Sequence, residues 1–331
     1  MGRDASPSPD WQPSCSIEHL RLRAQMLATI RRFFSERAVL EVETPLLSQT
    51  IGTDPQLEFF TTEFNFPPSR QTLYLQTSPE FAMKRLLASG SGSIYQICKA
   101  FRNGEAGRFH NPEFTMLEWY RVGFNLQQLM DEIADLIAEA FAGQLSSETQ
   151  RISYQDVFKL NTGLDALTFD YQAYCAYALD NQLPEAIDIC RHDHAIWLDF
   201  IFTHKVQPEL GKNALCLVFG YPACQSSLAR LNLLDDRVTE RVELFINGVE
   251  LGNGYYELLD ANEQNQRFDR EIAYRQQNNL PPVTKDHRLI QALEAGMPDC
   301  SGVAIGLDRL LMLLSNSASI DQVLGFAVGR A

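Results

Sequence analysis

The chain has 331 residues, 45 % of them hydrophobic and 21 % charged, a balance that supports a large packed core and excludes a disordered polymer. Its 28 Lys and Arg stand against 42 Asp and Glu, and a formal charge of −14 argues against a nucleic-acid partner, whose phosphates call for a basic surface. Apolar runs such as Leu310 to Leu314 fall far short of the roughly 20 residues of a membrane span, so no membrane partner is expected.

The first 13 residues are polar and rich in Pro and Ser, without the apolar stretch of a secretory signal, and residues 1–15 read as a flexible tail. Seven scattered cysteines, an odd number with no CxxC spacing, read as reduced thiols, and the two features together predict a cytoplasmic protein. Ser16 is placed to cap a helix carrying Leu20, Ala24, Leu27, Ile30 and Phe34 at helical spacing. Leu40 to Glu43 alternates apolar and acidic residues as a half-buried strand does, and Pro45 ends it. Ser78-Pro79-Glu80 starts a helix that runs through Met83 and Leu87 to Gly90.

Ser93 to Arg102 and Phe114 to Val122 alternate as strands, joined by a long polar loop, and so read as an antiparallel pair. Asn125 caps an amphipathic helix closed by Gly143. Residues 145–212 read as a small helical insertion. Leu215 to Gly220 is a buried strand, and Asn247-Gly248 joins two more in a hairpin. Ser301 to Ile305 is a small-residue strand leading into a helix, Gly306 to Leu314. Strands without regular βαβ alternation predict an α+β fold, an antiparallel sheet flanked by helices.

No GxxxxGK[ST], no GxGxxG after a strand and no HExxH is present, which removes the common nucleotide and zinc signatures. Three constellations remain. Arg102 ends one strand of the antiparallel pair, while Glu118 and Tyr120, two apart, share a face of the other. An arginine and a carboxylate–phenol pair suit a phosphate and an amine; taken alone, the unit also reads as a solvated hairpin. Glu250 and Glu257 have opposite parity on a regular strand, but Gly252 and Gly254 offer a bulge that brings them to one face. Paired carboxylates near phosphates suit Mg²⁺. In Gly302 to Arg309, small residues let a flat ligand approach the backbone, and Arg309 lies in the first turn of a helix, where a cation needs a reason to be.

Together these stretches resemble the catalytic core of the class II aminoacyl-tRNA synthetases, of the lysine group. The first helix with Leu40–Pro45 resembles the first, dimer-forming motif of that family. Phe101-Arg102-Asn103 with His110 through Glu118 resembles the second, Gly302 through Arg309 the third, and Glu250 through Leu258 the metal-binding stretch. The first motif begins too early to leave room for an anticodon-binding domain. The chain is thus similar to a truncated, acidic branch that attaches β-lysine to a lysine side chain of a protein, elongation factor P, instead of charging tRNA.

The resemblance implies a homodimer that uses ATP and Mg²⁺, with residues 16–331 as one catalytic domain. It implies Arg102 and Arg309 as catalytic phosphate ligands. Asn103, Gly104, Glu105, Asn111, Glu250, Leu251 and Gly306 would complete the ATP site. Ser78, Pro79, Glu80, Glu118, Tyr120, Asn253, Glu257 and Ala304 would surround the amino acid, and Glu250 and Glu257 would hold the metal. Two departures stand out. Gly104 occupies the place of an acidic residue that reaches adenine, with Glu105 next, and Ala304 replaces a glycine, crowding the amino-acid end. A tRNA-charging enzyme and a non-catalytic amino-acid sensor are the competing readings.

Overall fold

The computed structural model describes residues 11–145 and 148–331. Helix α1 (Ile17–Glu36) starts where Ser16 accepts the His19 N–H and buries Met26, Ile30, Phe33 and Phe34. Strand β1 (Leu40–Glu41) is two residues long, shorter than the expected Leu40 to Glu43. It pairs only with β5, at the sheet edge, so Leu40 stays exposed and Val39 is the buried residue. A small sheet not foreseen from the sequence follows, β2 (Leu47–Ser48), β3 (Thr61–Phe66) and β4 (Ser69–Leu75), in the order β2-β4-β3. Its strands are mostly exposed, and the alternating Phe64 and Phe66 of β3 face no core.

Helix α2 (Glu80–Ala88) leads into the antiparallel pair β5 (Ile94–Phe101) and β6 (Glu113–Val122). Helix α3 (Leu126–Phe141) has a full capping box at Asn125 and closes over Ala142 and Gly143, whose φ values of 46° and 83° are both positive. Between 150 and 201 lie a short strand β7 (Gln150–Ser153) and helices α4 (Tyr154–Thr162), α5 (Tyr171–Asp180), α6 (Glu185–Cys190) and α7 (His194–Ile201). These helices enclose an aromatic core of Tyr154, Phe158, Tyr174 and Trp197. The stretch also contributes β7 to the main sheet, an edge strand that the sequence reading did not include.

Strands β8 (Cys216–Phe219), β9 (Arg241–Ile246) and β10 (Val249–Tyr256) follow, then helices α8 (Ala261–Gln277) and α9 (His287–Gly296), strand β11 (Cys300–Gly306) and helix α10 (Leu307–Leu314). Asn247 and Gly248, with φ of 50° and 73°, form the tight turn between β9 and β10. The main sheet has the order β1-β5-β6-β11-β10-β9-β8-β7, parallel only at its two outermost pairings.

Alternation divides this sheet into two unlike faces. Leu117 and Trp119, Val303 and Ile305, and Val242 and Leu244 point into one core with α1, α3 and α10. There the Phe34 ring stacks on Tyr95 at 4.5 Å and meets Trp119 edge-on at 5.3 Å. Burying an aromatic or aliphatic side chain of this size stabilises the fold by about 1.5–3 kcal/mol. The opposite face is the polar one, and α2, α8 and α9 flank its far end.

Of the expected tail, residues 1–10 lie outside the described residues. Ser14 donates its N–H to Gly325 O at 2.8 Å and accepts the Ala327 N–H at 2.9 Å, and Cys15 is buried. These bonds fix residues 14 and 15 against the C-terminal segment, in place of the flexible end expected there.

Candidate active site

Register across the polar face lays the site out in rows. Gln96, Glu118, Ala304, Asn253 and Glu243 are successive partners across β5, β6, β11, β10 and β9, and Ile94, Tyr120, Gly302, Tyr255 and Arg241 form the next row. In the middle, β11 presents only Gly302, Ala304 and Gly306, which leaves a trough between the longer side chains of β6 and β10. Gly302 and, on β10, Gly252 are sterically required. A Cβ on Gly302 would lie 2.4 Å from the Tyr120 ring and 2.8 Å from Glu257 Oε1, and one on Gly252 would lie 2.2 Å from Ala304 O.

At one end of the trough is a cavity of about 230 Å³ lined by Arg102, Glu105, Asn111, Glu250, Leu251, Asn253, Ala304, Gly306 and Arg309 among others. Arg309 is held rigidly: it donates to Phe109 O at 3.2 Å, to Glu250 O at 2.8 Å and to His110 Nε2 at 2.6 Å. His110 accepts that bond as a neutral imidazole. Burial, then the charge of Arg309, pushes its pKa below the ordinary value. Arg102 contrasts with Arg309. Its guanidinium sits 5.1 Å from the Phe114 ring centroid and 3.7 Å from Glu105, and its Nε has no hydrogen-bond partner. One locked and one loosely held arginine facing a single cavity can bind an oligophosphate.

Asn103 and Gly104 do not line this cavity. They form an exposed turn in which Asn103 Oδ1 accepts the Gly104 N–H at 3.0 Å, and Gly104 is a glycine because φ is +76°. Glu105 does line it, and it is the carboxylate of this loop that reaches inward, 3.7 Å from Arg102 and 3.9 Å from His110. Asn111 lines the cavity but its amide is committed elsewhere, donating to Glu113 O at 2.6 Å and accepting the Val328 N–H at 3.0 Å. Asp308, next to Arg309, is a buried clamp that pairs with Arg23 of α1 and accepts the Thr115 N–H at 2.6 Å.

At the other end, Ser78, Glu80, Glu118, Tyr120 and Glu257 come together. Tyr120 donates to Glu118 Oε1 at 2.6 Å and Ser78 to Glu118 Oε2 at 2.7 Å. Pro79 precedes the helix that carries Glu80, whose N–H donates to Ser78 Oγ at 3.1 Å. Burial, then the nearby Glu80, pushes the Glu118 carboxyl up to about 8. Burial pushes Glu257 up to about 7, against the pull of Lys84. The sequence reading missed Lys84. Its Nζ lies 2.6 Å from both Glu80 Oε1 and Glu257 Oε2, and its side chain is 3 % exposed. Burial alone would strip the proton from Lys84, but the two carboxylates outweigh it and keep the group protonated.

The shared metal site expected at Glu250 and Glu257 is not formed. The register shift between Glu250 and Gly252 supplies the bulge, and the two residues reach one face. They stand at opposite ends of β10, however, roughly 20 Å apart along a strand rising about 3.3 Å per residue. Glu257 is already paired with Lys84. Among the described residues Glu250 keeps a carboxylate with no hydrogen-bond or ion-pair partner beside the arginines, and no cluster of three or more metal-ligating His, Cys, Asp or Glu occurs. Glu250 alone suits a hard cation that takes its other ligands from water and phosphate.

Residues 10–330 match the family of class II tRNA synthetases (D, K and N). The chain is 45 % identical over 324 residues to a Pasteurella multocida protein named elongation factor P–(R)-β-lysine ligase, with 97 % of this chain and 98 % of the relative covered. Proteins of the same name from Yersinia enterocolitica and Salmonella dublin are each 45 % identical over 328 residues, covering 98 % of this chain and all of theirs.

Proposed function

The chain belongs to the class II tRNA synthetase family, in its D, K and N branch, and from that premise we propose that it is an ATP-dependent ligase that activates (R)-β-lysine and transfers it to a lysine of elongation factor P. The observation that carries this reading is the adjacency, on one sheet face, of a two-arginine cavity and a buried carboxylate cluster. The first suits a triphosphate. The second suits an amino acid with two ammonium groups, because buried positive charge requires opposite charge beside it.

In the first step a carboxylate oxygen of the amino acid attacks the α-phosphorus of ATP, the bond to the bridging oxygen breaks, and pyrophosphate leaves with the electron pair. Arg102 and Arg309 offset the charge that spreads over the phosphates; with Arg309 locked by three hydrogen bonds, little reorganisation is needed. Glu250 would hold Mg²⁺, which when bound supplies further neutralisation of phosphate charge. Glu105 offers the inward carboxylate that Gly104 cannot, a partner for the adenine amino group. In the second step the acceptor ε-amine attacks the acyl carbon of the mixed anhydride, AMP leaves, and the amine loses its proton.

No side-chain nucleophile enters this scheme. Of the thiols near the amino-acid end, Cys98 is pushed up to about 12 by burial, then by Glu118, and Cys300 is likewise raised by burial, so both stay protonated. Ala304, lying between Glu118 and Asn253 in its row, narrows the trough where the amino-acid backbone would rest and favours a chain with its amine shifted to the β-carbon. Dimerisation fits the exposed Ile17, Leu40 and Leu47 on the α1–β1–β2 side. A cytoplasmic site fits a translation factor as acceptor, and no described helix is long and apolar enough to cross a membrane.

The test is ATP–pyrophosphate exchange with α-lysine and both β-lysine enantiomers, followed by mass analysis of elongation factor P. We expect (R)-β-lysine to support the fastest exchange and the factor to gain one β-lysyl group on a lysine. Salt-sensitive charging of tRNA with an unmodified factor would overturn the assignment.

A further inference from the structure

Three carboxylates, Glu80, Glu118 and Glu257, converge at the amino-acid end, and one cation of the protein, Lys84, is buried among them. Arg230 is the other nearby cation. It pairs with Asp299 at 2.5 Å and offers Glu257 only a hydrogen bond to its backbone oxygen at 2.9 Å, so its charge is already matched. The uncompensated charge of the pocket is therefore three carboxylates less one ammonium. Lys84 Nζ is in direct contact with Glu80 Oε1 and Glu257 Oε2, and both oxygens are buried. Each keeps capacity for a further N–H donor.

Resting on the proposed function, we infer that Lys84 is a positioning residue that sets the charge of the amino-acid pocket: it cancels one of three buried carboxylates and leaves two negative charges, the number that a diamino acid with two ammonium groups neutralises. An amino acid with one ammonium leaves a carboxylate buried and unmatched, which is costly. Without Lys84 the diamino acid itself would fall one charge short. Lys84 also fixes the orientation of Glu257 from α2, across the trough from β6.

The groups that face this cluster are Tyr120 and Glu118 on β6, Cys98 on β5, Tyr255 on β10, Cys300 on β11, Glu80 and Lys84 on α2, and Arg230. Burial raises Tyr120 and both cysteines, so the thiols and phenols stay neutral at pH 7 and the carboxylates do the titrating. With Glu118 up to about 8 and Glu257 up to about 7, the empty pocket holds extra protons at neutral pH. The two ammonium groups of β-lysine must displace them on binding.

The experiment compares the native protein with Lys84→Met and the charge-keeping Lys84→Arg, using β-lysine and ATP in the exchange assay and calorimetry in buffers of different ionisation enthalpy. The native protein should release about one proton on binding β-lysine at pH 7. Lys84→Met should raise KM for β-lysine roughly tenfold or more with KM for ATP unchanged, and should increase proton release. Lys84→Arg, which keeps the positive charge, should hold KM for β-lysine within roughly threefold of native.

The proposal is overturned if Lys84→Met leaves KM for β-lysine within twofold of native, if both KM values rise together, or if Lys84→Arg is as impaired as Lys84→Met. Should Lys84→Met fail to fold, Lys84→Arg and native proton release decide alone, and binding without proton release overturns the proposal. Glu118→Gln separates this from failure of the underlying reading. If that variant activates β-lysine normally, the pocket assignment itself is wrong; if it loses activation while Lys84→Met behaves as native, only the role of Lys84 is wrong.

Discussion

The two ends of β10 carry the same residue type in opposite circumstances. Glu250 stands at the cavity end, half-buried, its carboxylate unpartnered and its backbone oxygen taken by Arg309. Glu257 stands at the other end, 1 % exposed and paired with Lys84. Both follow from one bulge, which sets the two residues on one face. Environment then divides the labour. A carboxylate open to the arginine-lined cavity can serve a hydrated cation, whereas one sealed beside an ammonium suits a second ammonium. The strand thus separates phosphate chemistry from amine recognition by its own length.

That separation is open to attack from either end. The largest effect is expected at the cavity end. Arg309→Ala should cut pyrophosphate exchange by roughly 10²- to 10³-fold, the scale seen when a fixed charge-stabilising donor is lost. β-Lysine binding measured by calorimetry should change little, and equal loss of both would mean that the ends are not independent.

A smaller effect is expected from Gly302→Ala at the far end. Its methyl group meets the Tyr120 ring and Glu257, so overpacking of about 1–3 kcal/mol should appear as a roughly 5- to 150-fold rise in KM for β-lysine. KM for ATP should hold; if it moves in step, the trough is one site and not two.

The smallest effect requires no mutation. Glu118 must be ionised to accept an ammonium, and burial with Glu80 nearby favours its neutral form up to about pH 8. Substrate binding is therefore present above that pH and weakens as pH falls through it. KM for β-lysine should rise about fivefold between pH 8 and pH 7, while KM for ATP stays level over the same interval. A flat β-lysine profile would remove Glu118 from the amine site.

Much of this arrangement is legible in the sequence, and the gaps have physical causes. The Asn247-Gly248 turn, the capped helix at Asn125 and the paired strands around Glu118 and Tyr120 are local patterns, and local patterns survive folding. The Glu118–Tyr120 contact follows from parity alone. Glu250 and Glu257 show the limit of parity: it fixes the face but says nothing of the distance along the strand. Lys84 was hidden because a Glu–Lys pair four apart on a helix ordinarily lies in solvent. Only the tertiary fold, which lays α2 against Glu257, turns it into a buried counter-ion. Asn111 lines the cavity, but its amide is bonded to the backbone of Glu113 and of Val328, and the second of these links no local pattern encodes. The β2–β4–β3 sheet was passed over because its alternation is short, Phe64 with Phe66 and Leu73 with Leu75, and its strands are mostly exposed.

The bonds that close over the loop after Arg102 carry a consequence for how the protein comes into being. Arg108 donates from its side chain to Ala318 O, 210 residues onward, its own backbone oxygen accepts the Ile320 N–H, and Asn111 accepts the Val328 N–H. A ribosome makes the loop early and its fastenings late. Arg309, too, emerges only after Glu257. A nascent chain can therefore assemble its carboxylate cluster no sooner than Glu257 and its phosphate grip later still, so a growing polypeptide cannot hold the phosphates of ATP before the residues of the amino-acid end have been made.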